Sequence, residues 1–231
     1  MSITINHQIN DISASSGSIT IDGAAAAPLA SPTFTGVPAA PTAAEGTDTT
    51  QIATTAFVLA NAGGGSIPTA QTFEASGTWT RPAGCRYVRM IVTGGGGGGG
   101  GNSNNSGGSG ATAIKVIDVS AIATATLTIG APGAGSSGNN STPGSASSWV
   151  DGTNTITGGG SVNNADSTAT GGDINLVGVE GGEGGGGAGS FWGPGVNGNI
   201  AGRYWGGGGN SRNNSTGYAG KGGVIFIEEF Y

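Results

Sequence analysis

Apolar and polar residues alternate with a period of two in only a few stretches of the 231-residue chain, and those stretches set the first expectations. Ile3, Ile5, Ile9 and Ile12 lie among polar residues. Ile19 and Ile21 alternate with Ser18, Thr20 and Asp22 as a half-buried strand does, and Asp22-Gly23 then reads as a turn. Further on, Phe73 to Thr80 and Tyr87 to Thr93 read as two strands joined by the turn Pro82-Ala83-Gly84, and Ala111 to Val119 with Ala123 to Ile129 read as a second pair. The last eleven residues, Lys221 to Tyr231, are the most hydrophobic run and read as a terminal strand inserted into a sheet. Helical spacing occurs once. Asp48-Thr49-Thr50-Gln51 supplies a capping residue with Gln three positions on, and Ile52, Ala56 and Leu59 follow at four and three, which predicts a helix over 49–60 stopped by Asn61 and Gly63. The expected class is mainly β with one short helix.

The spaces between these elements differ in kind. Residues 24–48 combine Ala24 to Ala27 with Pro28, Pro32, Pro38 and Pro41, which forbids a long helix and predicts an extended path along another surface. A helix of ~12 residues is marginal alone in water, so the apolar stripe Ile52, Ala56 and Leu59 is expected to meet other copies of the chain around a trimer axis. Gly63-Gly64-Gly65-Ser66 opens a linker, read as 63–70. Beyond Thr93 the regime changes: residues 1–93 hold 9 glycines and 94–231 hold 42. Glycine this dense is either flexible coil or a layer of extended left-handed three-residue helices of the polyglycine II kind, whose bare backbones bond to one another. The interleaved rings of Phe191, Trp192, Tyr204, Trp205 and Tyr218 favour the ordered form, because disordered chains seldom carry so many. Runs such as Gly184 to Gly187 break any strict Gly-X-Y period, so collagen is excluded.

Composition narrows the function. Leu, Ile, Val and Phe make up 40 of 231 residues, too few for a generous core, and oligomerisation is the natural supplement. Seven Lys and Arg residues, scattered along a chain of net charge −6, cannot build the basic stripe that nucleic acid requires. No run of 18 apolar residues occurs, so membrane insertion is not expected, and Met1 to Asn6 lacks the basic and apolar regions of an export leader. Cys85 is the sole cysteine, which excludes an intrachain disulfide and fits manufacture in a reducing cytoplasm.

Leu29-Ala30-Ser31-Pro32-Thr33-Phe34-Thr35-Gly36-Val37-Pro38-Ala39-Ala40-Pro41-Thr42-Ala43-Ala44, followed by Gln51-Ile52-Ala53-Thr54-Thr55-Ala56-Phe57-Val58, closely resembles the shaft module of bacteriophage tail fibres. From Phe73 through Gly77-Thr78-Trp79-Thr80-Arg81-Pro82-Ala83-Gly84 and the polyglycine run to the last strand, the chain is similar to the glycine-rich tip domains of phage tail proteins and adhesins. Residues 1–23 look like the segment by which a virion protein docks on a baseplate. The resemblance implies a homotrimeric fibre in the virion, made in the host cytoplasm. Its parts would be an attachment segment over 1–23, an interwound shaft over 24–62, and a distal receptor-binding domain over 71–231. A single shaft module implies a short fibre. The implied partners are two further copies of the chain, baseplate or tail proteins, and a host polysaccharide or lipopolysaccharide. The competing reading is a purely structural virion protein without receptor contact.

Candidate chemistry points to binding and not to catalysis. His7 is the only histidine, so no Ser-His or Cys-His pair forms within the distal domain, and Cys85 lacks an activating base. Asp166 with Asp173, or Glu180 with Glu183, are the carboxylate pairs that glycoside hydrolysis or calcium binding would need; sparse acids in glycine loops more often satisfy backbone N–H groups. No cofactor or metal is expected. The aromatic group is stronger. Trp192, Tyr204, Trp205 and Tyr218, with Arg203 and Arg212, offer flat apolar faces for sugar rings and donors for hydroxyls or anions, unless those rings fill the domain's own core.

Overall fold

A computed structural model describes residues 5–6, 11–12, 20–21, 24–25, 37, 39–44, 47, 52–61, 67–101, 105–163, 165–182 and 186–231. The chain divides into two compact units, 1–62 and 63–231.

In the first unit, β1 (Ile5–Asn6) pairs with β2 (Asp11–Ile12), and β3 (Thr20–Ile21) pairs with β4 (Ala24–Ala25), both antiparallel. The partners Ile21 and Ala24 bracket the pair Asp22-Gly23 that the sequence marked as a turn. One helix follows, α1 (Thr55–Asn61), seven residues long. The proposed cap at 48–51 lies outside the described residues, and the helix begins later than the spacing predicts. Thr54 is its cap: the Thr54 Oγ1 accepts the Phe57 N–H at 3.1 Å, and the Thr54 carbonyl accepts the first helical bond from Val58. Ile52 therefore precedes the helix, whereas Ala56 and Leu59 both lie within it, three positions apart.

The second unit is built on two five-stranded antiparallel sheets. One has the order β12 (Ala169–Thr170), β11 (Thr155–Gly158), β10 (Ser147–Val150), β9 (Thr124–Thr128), β6 (Gly77–Thr80). The other has the order β13 (Ile174–Leu176), β8 (Thr112–Asp118), β7 (Tyr87–Thr93), β14 (Val224–Phe230), β5 (Thr69–Phe73). Their facing sides interleave in one core. Trp79, Leu127, Trp149 and Ile156 come from the first sheet, and Val88, Met90, Val92, Ile117, Ile225 and Ile227 from the second. Trp79 and Trp149 meet at its centre with ring centroids 5.0 Å apart.

The terminal strand lies where the hydrophobic run places it, inside a sheet between β7 and β5. The expected hairpins do not form. The stretch 73–80 breaks into β5 and β6, which belong to different sheets, and Thr69 and Ala70, read as linker, open β5. Pro82-Ala83-Gly84 does turn, with Gly84 at φ 81° and Cys85 N–H on the Pro82 carbonyl, but it carries the chain from one sheet to the other. Likewise β8 pairs with β7 and β13, while β9 pairs with β6 and β10. Glu229 points inward from β14. Its buried carboxylate accepts bonds from Trp79 Nε1 (2.9 Å), Gln71 Nε2 (2.6 Å) and Thr69 Oγ1 (2.7 Å), which satisfies a charge that would otherwise be costly there.

The described residues of the glycine segments form a bonded layer that extends the sheets. Gly94 to Gly101 donate in rotation to three neighbours. Gly94, Gly97 and Gly100 bond to the carbonyls of Ala111, Gly108 and Asn105; Gly95, Gly98 and Gly101 bond to Ser145, Thr142 and Gly138; Gly96 and Gly99 bond to Lys221 and Tyr218, all at 2.7–3.1 Å. The carbonyls return the pattern, Gly96 and Gly99 accepting from Gly133 and Ser136, and Gly97 and Gly100 from Gly209 and Arg212. A period of three with no positive φ in the run is the left-handed extended helix of polyglycine II. Six residues of this kind of backbone bonding per two turns replace a side-chain core: all of Gly94 to Gly100 is buried.

Candidate functional site

Two tight turns emerge where the glycine layer meets the sheets. In the first, Ser190 and Gly193 exchange backbone bonds at 3.0 and 3.2 Å, which projects Phe191 and Trp192 from the surface of the layer. In the second, Gly207 N–H bonds to the Tyr204 carbonyl at 2.8 Å, and Gly206 takes φ 71°, a conformation only glycine adopts without strain. Ser190 ties the turns together, its hydroxyl donating to the Trp205 carbonyl at 2.6 Å. The segment leading into β14 fixes the second turn, because Gly206 N–H bonds to Gly222 and Lys221 N–H bonds to Gly207.

This framework stacks the rings. Trp192 is half-buried and meets Trp205 edge to face at 5.1 Å, Phe191 at 5.2 Å and Phe226 of β14 at 6.1 Å. Its Nε1–H donates to Thr93 Oγ1 at 2.9 Å, so the indole is anchored to the end of β7. Tyr204 lies on the backbone of Gly193: a Cβ there would come within 2.6 Å of the ring. Its outer side stays open, with 42 % of the residue exposed. Trp192, Arg203, Tyr204 and Trp205 line a depression of about 300 Å³ together with Glu74 and Lys221. Among the described residues, Arg203 and Lys221 make no ion pair, whereas Arg89 pairs with Glu228 and Lys115 with Asp173.

The structure thus gathers four of the six aromatic and arginine candidates. Arg212 and Tyr218 lie elsewhere. Arg212 N–H bonds to Gly100 and the Tyr218 carbonyl accepts from Gly99, at the other end of the glycine run, and seven residues at ~3.1 Å each place them roughly 20 Å from Thr93. Glu74 and Lys221 were not legible as site residues, since Glu74 follows β5, which pairs with the distant β14, and Lys221 is placed by the backbone bonds of the glycine layer. The tryptophans that form the core are Trp79 and Trp149, not those of the glycine segments.

Residues 68–227 match a family described as a glycine-rich domain. The chain belongs to that glycine-rich domain family. No curated protein matches it at a significant level. The match runs from the start of β5 into β14 and spans the glycine layer, so the aromatic depression lies within the glycine-rich domain itself.

The acidic candidates are engaged locally. Asp166 accepts the Glu180 N–H at 3.2 Å. Asp173 accepts the Val116 N–H at 3.1 Å and pairs with Lys115; those bonds, the backbone one first, hold its carboxyl below the usual range. Glu183 lies outside the described residues. Cys85 is buried in the core, where desolvation first and the nearby Glu229 charge second push its thiol up from the ordinary value. In the first unit Ile52 and Ala56 line an apolar groove with Val37, Ala39 and Ala40, and Ile52 is 77 % exposed. The backbone of Leu59 is in α1, and its side chain lies outside the described residues.

Proposed function

We propose that this glycine-rich domain protein is a bacteriophage tail-fibre adhesin whose distal unit binds a host surface glycan. The observation that carries the reading is the depression framed by Trp192, Tyr204 and Trp205, because rigid rings on turns locked to a bonded backbone layer offer flat apolar area at little entropic cost. Arg203 at its rim supplies planar donors for hydroxyl or anionic groups. The shaft-like segment over 24–62 assembles the chain as a homotrimer, and residues 1–23 attach it to the baseplate of the virion. Three tips per fibre convert a weak single-site affinity into avidity higher by ~10² or more.

The test is adsorption of host cells by protein carrying Trp205→Ala or Tyr204→Ala. Both variants are expected to bind cells at least about tenfold less, and Tyr204→Ala to stay folded, because Tyr204 is 42 % exposed and lies outside the core between the sheets. A folded Tyr204→Ala protein that adsorbs normally would refute the assignment of this surface. The structural alternative draws on Trp192, whose N–H is satisfied internally; it predicts that deleting the distal unit spares adsorption.

A further inference from the structure

We propose that the depression between the two aromatic turns selects an acidic saccharide, a sugar ring bearing a phosphate or carboxylate, over a neutral one; this rests on the glycan-binding reading above. The charge distribution carries the argument. The chain has net charge −6 and only seven Lys and Arg residues, yet two of them line this one hollow of about 300 Å³ against the single carboxylate of Glu74. Arg89 and Lys115 are neutralised by Glu228 and Asp173, whereas Arg203 and Lys221 make no ion pair among the described residues. Two cations held near each other without a partner repel, and an anion entering between them relieves that repulsion.

Their backbones are fixed before any ligand arrives. Lys221 N–H bonds to Gly207 and its carbonyl accepts from Gly96, while Gly202, beside Arg203, bonds to Ala219. The cations therefore sit on adjacent segments of the glycine layer, flanking Tyr204 and Trp205. A ring stacked on the aromatics would present its charged substituent to the guanidinium fork and the ammonium at once. A neutral sugar leaves both cations unmatched.

The experiment is a tryptophan-fluorescence titration of the full chain with glucose, glucose 6-phosphate, glucuronate and inorganic phosphate. The acidic sugars are expected to bind at least about tenfold tighter than glucose, since hydrogen bonds to charged groups are the stronger kind. That advantage is expected to shrink as sodium chloride rises from about 50 to 500 mM. Arg203→Gln or Lys221→Gln should bring the acidic sugars down to the affinity of glucose, whereas Arg212→Gln, at the distant end of the layer, should change nothing. Equal binding of glucose and the acidic sugars would overturn the anion assignment and leave the aromatic glycan site standing. Inorganic phosphate binding as tightly as glucose 6-phosphate would overturn it from the other side, because the rings would then contribute nothing. Failure of every sugar to bind, with normal adsorption by Tyr204→Ala, would remove both readings.

Discussion

Gly99 illustrates why this sequence uses glycine where it does. Its φ is not positive, so conformational freedom is not the reason; a Cβ at this position would overlap the backbone carbonyl of Asn210 on the neighbouring segment. Backbone cannot swing aside as a flexible side chain does, so Gly99→Ala must separate two bonded segments. The expected cost is on the order of 3 kcal/mol. Gly77 in β6 is the control, since nothing lies within 4 Å of a Cβ there and its φ is not positive. Chemical denaturation of the two variants checks this: Gly77→Ala should be within about 0.5 kcal/mol of wild type or more stable, and a similar loss at both sites would refute close packing as the cause.

At the scale of elements, the hairpin of β10 and β11 is closed by one side chain. Asp151 accepts N–H bonds from Thr153 (2.9 Å) and Asn154 (2.6 Å) with one oxygen and the Trp149 indole N–H (2.9 Å) with the other. Partial burial is the largest single influence and raises its pKa, but the bonds from Trp149, Asn154 and Thr153 together outweigh it and leave the carboxyl below the ordinary 3.8. Asp118 and Asp173 are lowered as well, by bonds from Ser120 and from Val116 respectively. A depressed folded pKa means stability that is present above the unfolded value and is lost as pH falls through the folded one. The melting temperature should therefore be flat from pH 7 to about 5 and fall below about pH 4. Asp151→Asn should melt lower at pH 7 and lose less on acidification; a profile parallel to wild type would show that Asp151 takes no part in the acid transition.

For the whole molecule, the open question that the first unit poses is what covers its apolar residues. A seven-residue helix does not stand alone in water, and Ile52 is 77 % exposed beside an apolar groove. The proposed assembly of three copies through residues 24–60 would answer that need, and light scattering should then give about three times the chain mass of 22.0 kDa. Ile52→Asp should weaken assembly, because carboxylates brought to one axis are desolvated beside like charges. A monomer mass for the wild-type protein would end the fibre reading, and an unchanged mass for the variant would move the axis away from Ile52.

Local pattern alone determined the strands Tyr87–Thr93 and Val224–Phe230, because their alternation or apolar density leaves no competing use for them. It also favoured an ordered glycine layer, since rings among glycines need something to pack on, and the described residues form one through their backbone bonds. The four strands of residues 147–176 were invisible: Ser147-Ser148-Trp149-Val150 is too short and polar to signal a strand until β9 and β11 flank it. Pairing was decided only in three dimensions. Pro82-Ala83-Gly84 looks the same whether it closes a hairpin or passes between sheets, and the inward faces of Trp79 and Val88 chose the second. The depression divides along the same line. Arg203, Tyr204 and Trp205 are neighbours in the chain and so were legible together, whereas Glu74 and Lys221 join them through the register of β5 and β14 and the bonds of the glycine layer, which are long-range contacts that no local pattern encodes.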